Sequence, residues 1–182
     1  TTGRPANSNK GINYAALNKD DGTRAKYISR FENGKLVEFD YDAYHLRLIA
    51  DLIGMEQPEG SFHRYLGKLY FDSDSLTKEQ YDESKKISFQ ILYGGIPKEF
   101  RRIDYFNKTA NYISELWDIY NSKGYIETPI LKRKLYKKNL DNMNPQKLFN
   151  YFIQAYETEM NSSALKNILN LLEDYSSKMI LY

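Results

Sequence analysis

The amino-acid sequence predicts an α/β protein in which a mainly helical region lies between segments of strand. Apolar and polar residues alternate over residues 36–40, which is the period of a half-buried strand. Through most of the middle of the chain, apolar residues recur every three or four positions, as in amphipathic helices. A hydrophobic run at 178–182 has the composition of a second strand. We therefore expect two lobes, an α/β lobe built from both ends of the chain and a helical lobe between them.

The first part of the chain is predicted to contain loop, strand and helix in that order. Residues 1–24 are rich in Gly, Asn, Thr and Lys and have no sustained period, which is typical of an extended loop. The turn signal Asn33-Gly34 precedes the strand. Helical spacing begins at Ala43, and Gly54 marks its end.

Caps and breakers mark two further helices in the middle of the chain. The first carries an apolar face between residues 62 and 69. The second begins at Thr77, where Gln80 three residues later completes a capping-box pattern. Gly94 and Gly95 should end this helix, because glycine favours backbone conformations outside it.

The remaining elements follow from proline and glycine positions. Pro97 is placed to open a helix that ends at Gly124. Residues 125–129 are predicted to form a short extended piece. Asn144 followed by Pro145 is typical of a cap and a first-turn proline, and we expect a long helix from there to about residue 174.

Composition excludes several classes of protein. The 182 residues include no cysteine, which excludes disulfide frameworks, thiol catalysis and cysteine-ligated zinc. No apolar run approaches the roughly 18 residues that span a bilayer, so we expect no membrane association. The 26 Lys and Arg residues nearly balance 24 Asp and Glu residues, so affinity for nucleic acid must come from local clustering. The only histidines, His45 and His63, lie on different predicted helices and do not form a metal-ligand spacing.

Asp40 is a candidate metal ligand. It ends the predicted strand, where a carboxylate is held at an open sheet edge. Mg²⁺ takes one or two carboxylate oxygens and keeps positions for water and phosphates. The more common role for such residues is structural, and Asp40 or Asp42 would then cap the helix that starts at Ala43.

Lys85, Phe89 and Tyr93 lie four residues apart on one predicted helix and therefore form a stripe. Successive members are about 6 Å apart along the helix axis. A cation followed by two rings matches the phosphates, sugar and base of a nucleoside triphosphate. Spacing alone favours the alternative, in which both rings are core residues and the lysine extends to solvent.

Residues 132–138 contain five basic residues, which we call the basic segment. Such a segment is suited to contact with a phosphate backbone. More often a run of this kind is a solvated loop.

Taken in order, these segments resemble the family A DNA polymerases, the group of bacterial DNA polymerase I and related phage replicative enzymes. Each block of the resemblance is weak alone, but their order and spacing extend over nearly the whole chain. The blocks are TGR at 2–4, FDYDAYHLRLIA at 39–50 (motif A), KKISFQILYG at 85–94 (motif B), and GYIET at 124–128 followed by the basic cluster at 132–134.

The resemblance implies template-directed transfer of a nucleotide from a dNTP to a primer 3′-hydroxyl, assisted by two Mg²⁺ ions. Asp40 would be the first of two metal-binding carboxylates, and the backbone carbonyl of Tyr41 would be a further ligand. Lys85 would pair with the triphosphate. Phe89 would pack on the sugar and base, and Tyr93 would lie at the template side of the new pair.

The resemblance also implies DNA contacts, and the sequence departs from the family at several positions. Arg4 and Gln154 would contact the duplex near the primer end. His45 stands where the family has the glutamate that excludes a ribose 2′-hydroxyl, so we expect altered sugar discrimination. Tyr81 replaces an arginine that binds triphosphate, and Gln90 replaces a glycine.

A division of the chain follows from the same resemblance. Residues 1–54 would form the first part of a polymerase palm, a few-stranded antiparallel sheet with helices. Residues 55–124 would be an inserted, mainly helical fingers subdomain with the motif B helix at 78–93. Residues 125–182 would return to the palm, with the Gln154 helix and the start of the motif C strand.

The ends of the chain lead us to expect a fragment. It lacks an initiator methionine and stops before the aspartate of motif C, so its Mg²⁺ site would be incomplete and it would not extend primers alone. The expected partners are primer-template DNA, a dNTP and the rest of a polymerase chain with its thumb, in the cytoplasm of a bacterial or phage-infected cell. Two alternatives remain, a non-catalytic nucleic-acid-binding module and a tyrosine-rich helical interaction protein.

Overall fold

The computed structural model describes residues 2–3, 17–18 and 20–179. The chain forms two units. The larger comprises Thr1–Gly3 and Asp42–Tyr182, and the smaller comprises Arg4–Tyr41. The α-helices and β-strands of the described residues all belong to the larger unit.

The described part of the smaller unit contains a short 3₁₀ turn, Arg24–Lys26, and is otherwise irregular. Arg24 Nη1 lies 3.2 Å from Glu38 Oε2. Residues 36–40 are exposed and belong to no strand, so the predicted strand is wrong. A strand needs a neighbour for its backbone N–H and C=O groups, and no described segment pairs with this one.

The larger unit is mostly helical, and its helices follow the predicted order. Two short strands lie between the fourth helix and the fifth, which is the last. The elements are α1 (Tyr44–Leu52), α2 (Phe62–Phe71), α3 (Lys78–Gly94), α4 (Asp104–Lys123), β1 (Tyr125–Glu127), β2 (Lys134–Tyr136) and α5 (Pro145–Leu171).

Local signals begin and end these helices where the sequence predicts. The Thr77 hydroxyl accepts from the Gln80 backbone N–H at 3.2 Å, and the Gln80 side chain accepts from the Thr77 N–H at 3.0 Å, which completes the predicted capping box. Asn144 Oδ1 accepts from the Lys147 N–H at 2.8 Å and caps α5. Gly124 ends α4 with φ of 76°, a conformation that glycine adopts without strain.

The remaining boundaries differ from prediction. Pro97 precedes a 3₁₀ turn at Lys98–Arg102, and α4 begins only at Asp104. The last helix ends at Leu171 rather than near residue 174. Of the predicted terminal strand, residues 180–182 lie outside the described residues, and residues 178–179 belong to no strand.

The sheet is antiparallel and two-stranded. Tyr125 pairs with Tyr136, Ile126 with Leu135, and Glu127 with Lys134. The central pair is buried and faces the core, as expected from the two-residue period of a strand. A mostly helical chain with an antiparallel sheet confirms the predicted α/β fold class.

The core lies where the apolar faces of the helices meet, and α4 contributes its largest side chains. Tyr105 packs edge-on against Phe62 at 5.2 Å between ring centroids, and its hydroxyl donates to the Leu46 carbonyl at 3.1 Å. Full burial of a large apolar side chain contributes roughly 1.5–3 kcal/mol. Among the described residues, no helix is long and apolar enough to cross a membrane. The most fully buried large apolar side chains are those of Leu46, Ile49, Phe62, Leu66, Tyr105, Phe106, Tyr120, Ile126, Leu148, Phe149 and Phe152.

Candidate functional site

The stripe on α3 faces outward. Lys85 has a side chain that is 40% exposed, and Phe89 and Tyr93 are 47% and 40% exposed. The two rings stack with centroids 6.0 Å apart and planes 10° apart. The opposite face of α3 packs into the protein through Ser84, Ser88, Ile91 and Leu92. The stripe therefore presents a cation and two ring faces to solvent, and its rings are not core residues.

Two cationic side chains lie over the Tyr81 ring at the start of this stripe. Lys85 Nζ lies 4.2 Å from the centre of the Tyr81 ring, and the Arg64 guanidinium from α2 lies 5.3 Å from it. Lys85 Nζ is also 3.7 Å from the Asp82 carboxylate. The face of an aromatic ring attracts cations, so Tyr81 holds two positive charges at the start of the stripe. Sequence reasoning missed Arg64, because its position depends on how α2 packs against α3.

His45 lies at the other end of the stripe, in the first turn of α1. Its Nδ1 atom is hydrogen-bonded to the Tyr93 hydroxyl, and its Nε2 atom lies 3.2 Å from Glu157 Oε2 on α5. The His45 and Glu157 side chains are each 14% exposed. Three helices therefore meet in one polar cluster, which we call the His45 cluster. Sequence reasoning missed Glu157, since it lies 112 residues from His45 along the chain.

The C-terminal end of α3 is held by amide side chains of α5. The side-chain amide of Gln146 donates to the Leu92 carbonyl, and that of Asn150 donates to the Tyr93 carbonyl at 3.4 Å. These bonds satisfy carbonyls that the last turn of a helix leaves without intrahelical partners. They fix the backbone from which Tyr93 projects.

His63 of α2 lies behind the stripe. Its imidazole is 5.7 Å from the Phe89 ring, and the residue is 5% exposed. Burial lowers the pKa of His63, Asp42 opposes that effect, and the Lys85 charge adds to it. Its Nδ1 atom has no hydrogen-bond partner among the described residues. Burial therefore favours the neutral form of the His63 ring that packs beside Phe89.

Gln154 lies half-buried on α5, and its backbone carbonyl accepts from the Thr158 hydroxyl at 3.0 Å. Gln154 and Glu157 are three residues apart on the same helix. Residues at this spacing share a helix face, so the predicted DNA-contacting residue lies near the His45 cluster on α5.

Glu159 organises the loop between the two strands. Its carboxylate is 1% exposed and accepts hydrogen bonds from the Thr128 hydroxyl and from the backbone N–H groups of Ile130 and Leu131, at 3.3 and 3.2 Å. The Thr128 hydroxyl in turn accepts from the Arg133 N–H at 2.9 Å. A buried carboxylate is stable only when such donors surround it. Sequence reasoning missed this residue.

The loop meets the start of the chain. The Arg133 guanidinium donates to the Thr2 carbonyl. A Cβ atom on Gly3 would come within 2.7 Å of Arg133 Nη1, and Gly3 has φ of 86°, a backbone conformation that favours glycine. Thr2 and Gly3 of the first block of the resemblance thus contact Arg133 of the last one. Arg4 lies outside the described residues.

The lysines of the basic segment lie on the outer surface of the hairpin. Lys134 Nζ is 4.5 Å from the Tyr125 ring centre, and Lys137 Nζ donates to Asn121 Oδ1 at 2.7 Å. Lys132 and Lys138 are exposed. The segment is therefore not the predicted loop, since it includes β2 and a 3₁₀ turn at Lys137–Asn139, but its positive charge is solvated and accessible to an anionic partner.

Asp40 and Tyr41 belong to the smaller unit and are exposed. The N-cap residue of α1 is Ala43, which offers no side-chain cap, so the capping role predicted for Asp40 or Asp42 is wrong. Asp42 instead lies 3.5 Å from Arg47 Nη2. The described residues contain no group of three or more acidic, histidine or cysteine side chains that could hold a metal ion.

Comparison with known proteins shows a likeness of fold. No family model matches the chain, and no curated protein matches it. Among solved structures, the chain is similar to the POL domain of Pol1 from M. smegmatis in complex with DNA primer-template and dNTP, with a TM-score of 0.58 and 20% sequence identity. The match covers 74% of this chain and 29% of that chain, so the chain spans less than a third of the matched structure. The mostly helical fold with its small antiparallel sheet is similar to part of that polymerase domain.

Proposed function

We propose that the chain is part of a template-directed DNA polymerase of family A, which adds dNTP-derived nucleotides to a primer. The observation that carries this proposal is the solvent-facing stripe of Lys85, Phe89 and Tyr93 in a polymerase-like fold. The solved polymerase domain of similar fold holds primer-template DNA and a dNTP. In this proposal, residues 1–54 belong to a palm, 55–124 to fingers, and 125–182 to the return toward the palm.

The stripe would bind the incoming dNTP. Lys85, supported by Tyr81 and Arg64, provides positive charge for the triphosphate. The exposed Phe89 and Tyr93 rings provide flat apolar surfaces for the sugar and the base. His45 lies beside Tyr93, where the sugar edge would be read.

The DNA would be bound by other groups. Gln154 and Arg4 would contact the duplex near the primer end. Minor-groove acceptors are common to all base pairs, so such contacts need not read sequence. The basic segment would add contacts to phosphates.

Two Mg²⁺ ions would supply charge stabilisation of the transferred phosphoryl group. Asp40 and the Tyr41 carbonyl are the ligands we propose from this chain. Of the two carboxylates that the resemblance implies, only Asp40 lies within residues 1–182, so we expect no primer extension by these residues alone. Binding is therefore the informative measurement.

Nucleotide binding tests the proposal. We expect Lys85→Ala to weaken binding of a dNTP by about tenfold or more, because the triphosphate loses a charged partner. Isothermal titration of the 182-residue chain in the presence of primer-template, with the complementary dNTP, gives the affinity. Lys78→Ala is the control, since Lys78 is also exposed on α3 but lies two turns from the stripe. Equal losses in the two variants, or none, would contradict the proposal.

A non-catalytic nucleic-acid-binding module is the second candidate. The observation in its favour is that the basic segment is accessible to an anionic partner and that Glu159 holds the loop leading into it. The two functions differ in template dependence. A polymerase site binds the complementary dNTP more tightly than the other three, and a simple binding module binds all four alike.

A further inference from the structure

His45 has a partner on each side of its ring. The Tyr93 hydroxyl is bonded to Nδ1, and the Glu157 carboxylate lies 3.2 Å from Nε2. The ring is thus held between α3 and α5, at the end of the stripe that would bind nucleotide. The Tyr93 and His45 rings also meet edge to face, with centroids 6.0 Å apart.

The chemistry of these groups gives the hydrogen bonds a direction. An ionised carboxylate only accepts, so Nε2 carries a proton and donates to Glu157. In the neutral imidazole, Nδ1 is then an acceptor, and the Tyr93 hydroxyl must donate to it. Glu157 therefore determines the tautomer of His45, and His45 determines the direction in which the Tyr93 O–H points.

The packing of α1 against α5 does not depend on Glu157. The Tyr44 hydroxyl donates to Asn161 Oδ1 at 3.0 Å, and the Tyr156 hydroxyl donates to Asp51 Oδ2 at 2.9 Å. These two bonds join the same pair of helices on either side of Glu157 along α5. Replacement of Glu157 should therefore release the imidazole without moving the helices.

We propose that Glu157 is a positioning residue that fixes the His45 imidazole and, through it, the Tyr93 hydroxyl, and so sets discrimination between deoxyribose and ribose. The last part of this proposal rests on the proposed function, because it needs a nucleotide on the α3 stripe. The substrate class that it distinguishes is dNTP from rNTP. Glu157 acts through His45 and needs no contact with the nucleotide.

The first test reads the tautomer of His45 without any ligand. The chain has only two histidines, so two-bond ¹H–¹⁵N spectra at alkaline pH, where imidazoles are neutral, show two rings. The signal absent from His45→Gln identifies His45. We expect the Nε2–H tautomer in the wild type and in Glu157→Gln, whose amide oxygen still accepts. In Glu157→Leu we expect a mixture of tautomers, and an unchanged His45 tautomer in that variant would overturn the proposal.

The second test measures sugar discrimination. The ratio of dATP to ATP affinity, with primer-template present, should change by about tenfold in Glu157→Leu, which corresponds to ~1.4 kcal/mol. Glu157→Gln should retain most of the wild-type ratio. Glu173→Leu is the control, because Glu173 is exposed just beyond α5.

The two tests separate the possible failures. If Glu157→Leu changes the His45 tautomer but not the ratio of dATP to ATP affinity, Glu157 does not set sugar discrimination. Absence of nucleotide binding by the wild type overturns the proposed function together with the sugar role. The tautomer spectra decide the positioning role of Glu157 in either case.

Discussion

At the scale of single residues, His63 shows how burial and charge act on one side chain. Its imidazole is enclosed between α2 and α3, beside Phe89 and near Lys85. A protonated ring would lose its hydration there and would face a second cation, and Asp42 compensates only in part. The folded protein therefore disfavours the imidazolium form.

We predict that His63 makes the protein less stable in mild acid. Both states hold a neutral ring well above pH 6.5, the ordinary pKa of histidine. As the pH falls below that value, the unfolded chain binds a proton that the folded chain resists, so the free energy of unfolding decreases. The decrease ends when the pH reaches the lowered pKa of the folded state. Urea unfolding between pH 8 and pH 5 measures it.

The matched variant for this prediction is His63→Gln, which removes the titrating group. Its free energy of unfolding should depend less steeply on pH than that of the wild type over the same range. His45→Gln is the control, since it removes the other histidine and should leave the His63 contribution in place. If the free energy of unfolding depends on pH equally steeply in the wild type and in His63→Gln, His63 does not determine the pH dependence of stability in this range.

At the scale of single residues, the sequence predicts which side chains lie together when they belong to the same helix. Lys85, Phe89 and Tyr93 share a face because each is four residues from the next, and the structure has them on one exposed face. Glu157 and Arg64 could not be found in this way. Their partners lie on other helices, so their positions depend on helix packing, which no local pattern encodes.

At the scale of elements, the described helices follow from local chemistry. The Thr77 capping box and the Asn144 cap begin α3 and α5 where the sequence predicts them. The strand predicted at 36–40 failed because its stability depends on a partner strand elsewhere in the chain. Conversely, β1 and β2 are only three residues each and form because a short loop brings them together.

We predict that this loop depends on Glu159. Glu159→Leu removes the acceptor for the Thr128 hydroxyl and two backbone N–H groups, and it should lower the free energy of unfolding by about 2–4 kcal/mol. Thermal or urea unfolding measures the change. Ser162→Ala, on the exposed side of α5, is the control and should change stability by less than about 1 kcal/mol. If Glu159→Leu loses no more stability than Ser162→Ala does, the conformation of the loop does not depend on Glu159.

At the scale of the whole molecule, a net charge of +2 conceals a strongly uneven distribution of charge. Five of the basic residues fall within residues 132–138, and the exposed Lys132 and Lys138 stand at its two ends. Near-neutral overall charge limits non-specific attraction at a distance, so affinity for DNA depends on local clusters of positive charge such as this segment.

We therefore predict that DNA binding depends on salt through the basic segment. Each phosphate contact adds ~0.9 to the slope of log K against log salt concentration, because it releases a condensed counterion. The double variant Lys132→Gln, Lys138→Gln should lower the slope by up to ~2 and weaken binding at low salt. Fluorescence anisotropy with a labelled primer-template, measured from about 25 to about 200 mM salt, gives the slope, because screening of the charges increases over this range. Lys166→Gln, exposed on α5, should leave the slope unchanged, and the same slope in the double variant would place the DNA on another surface.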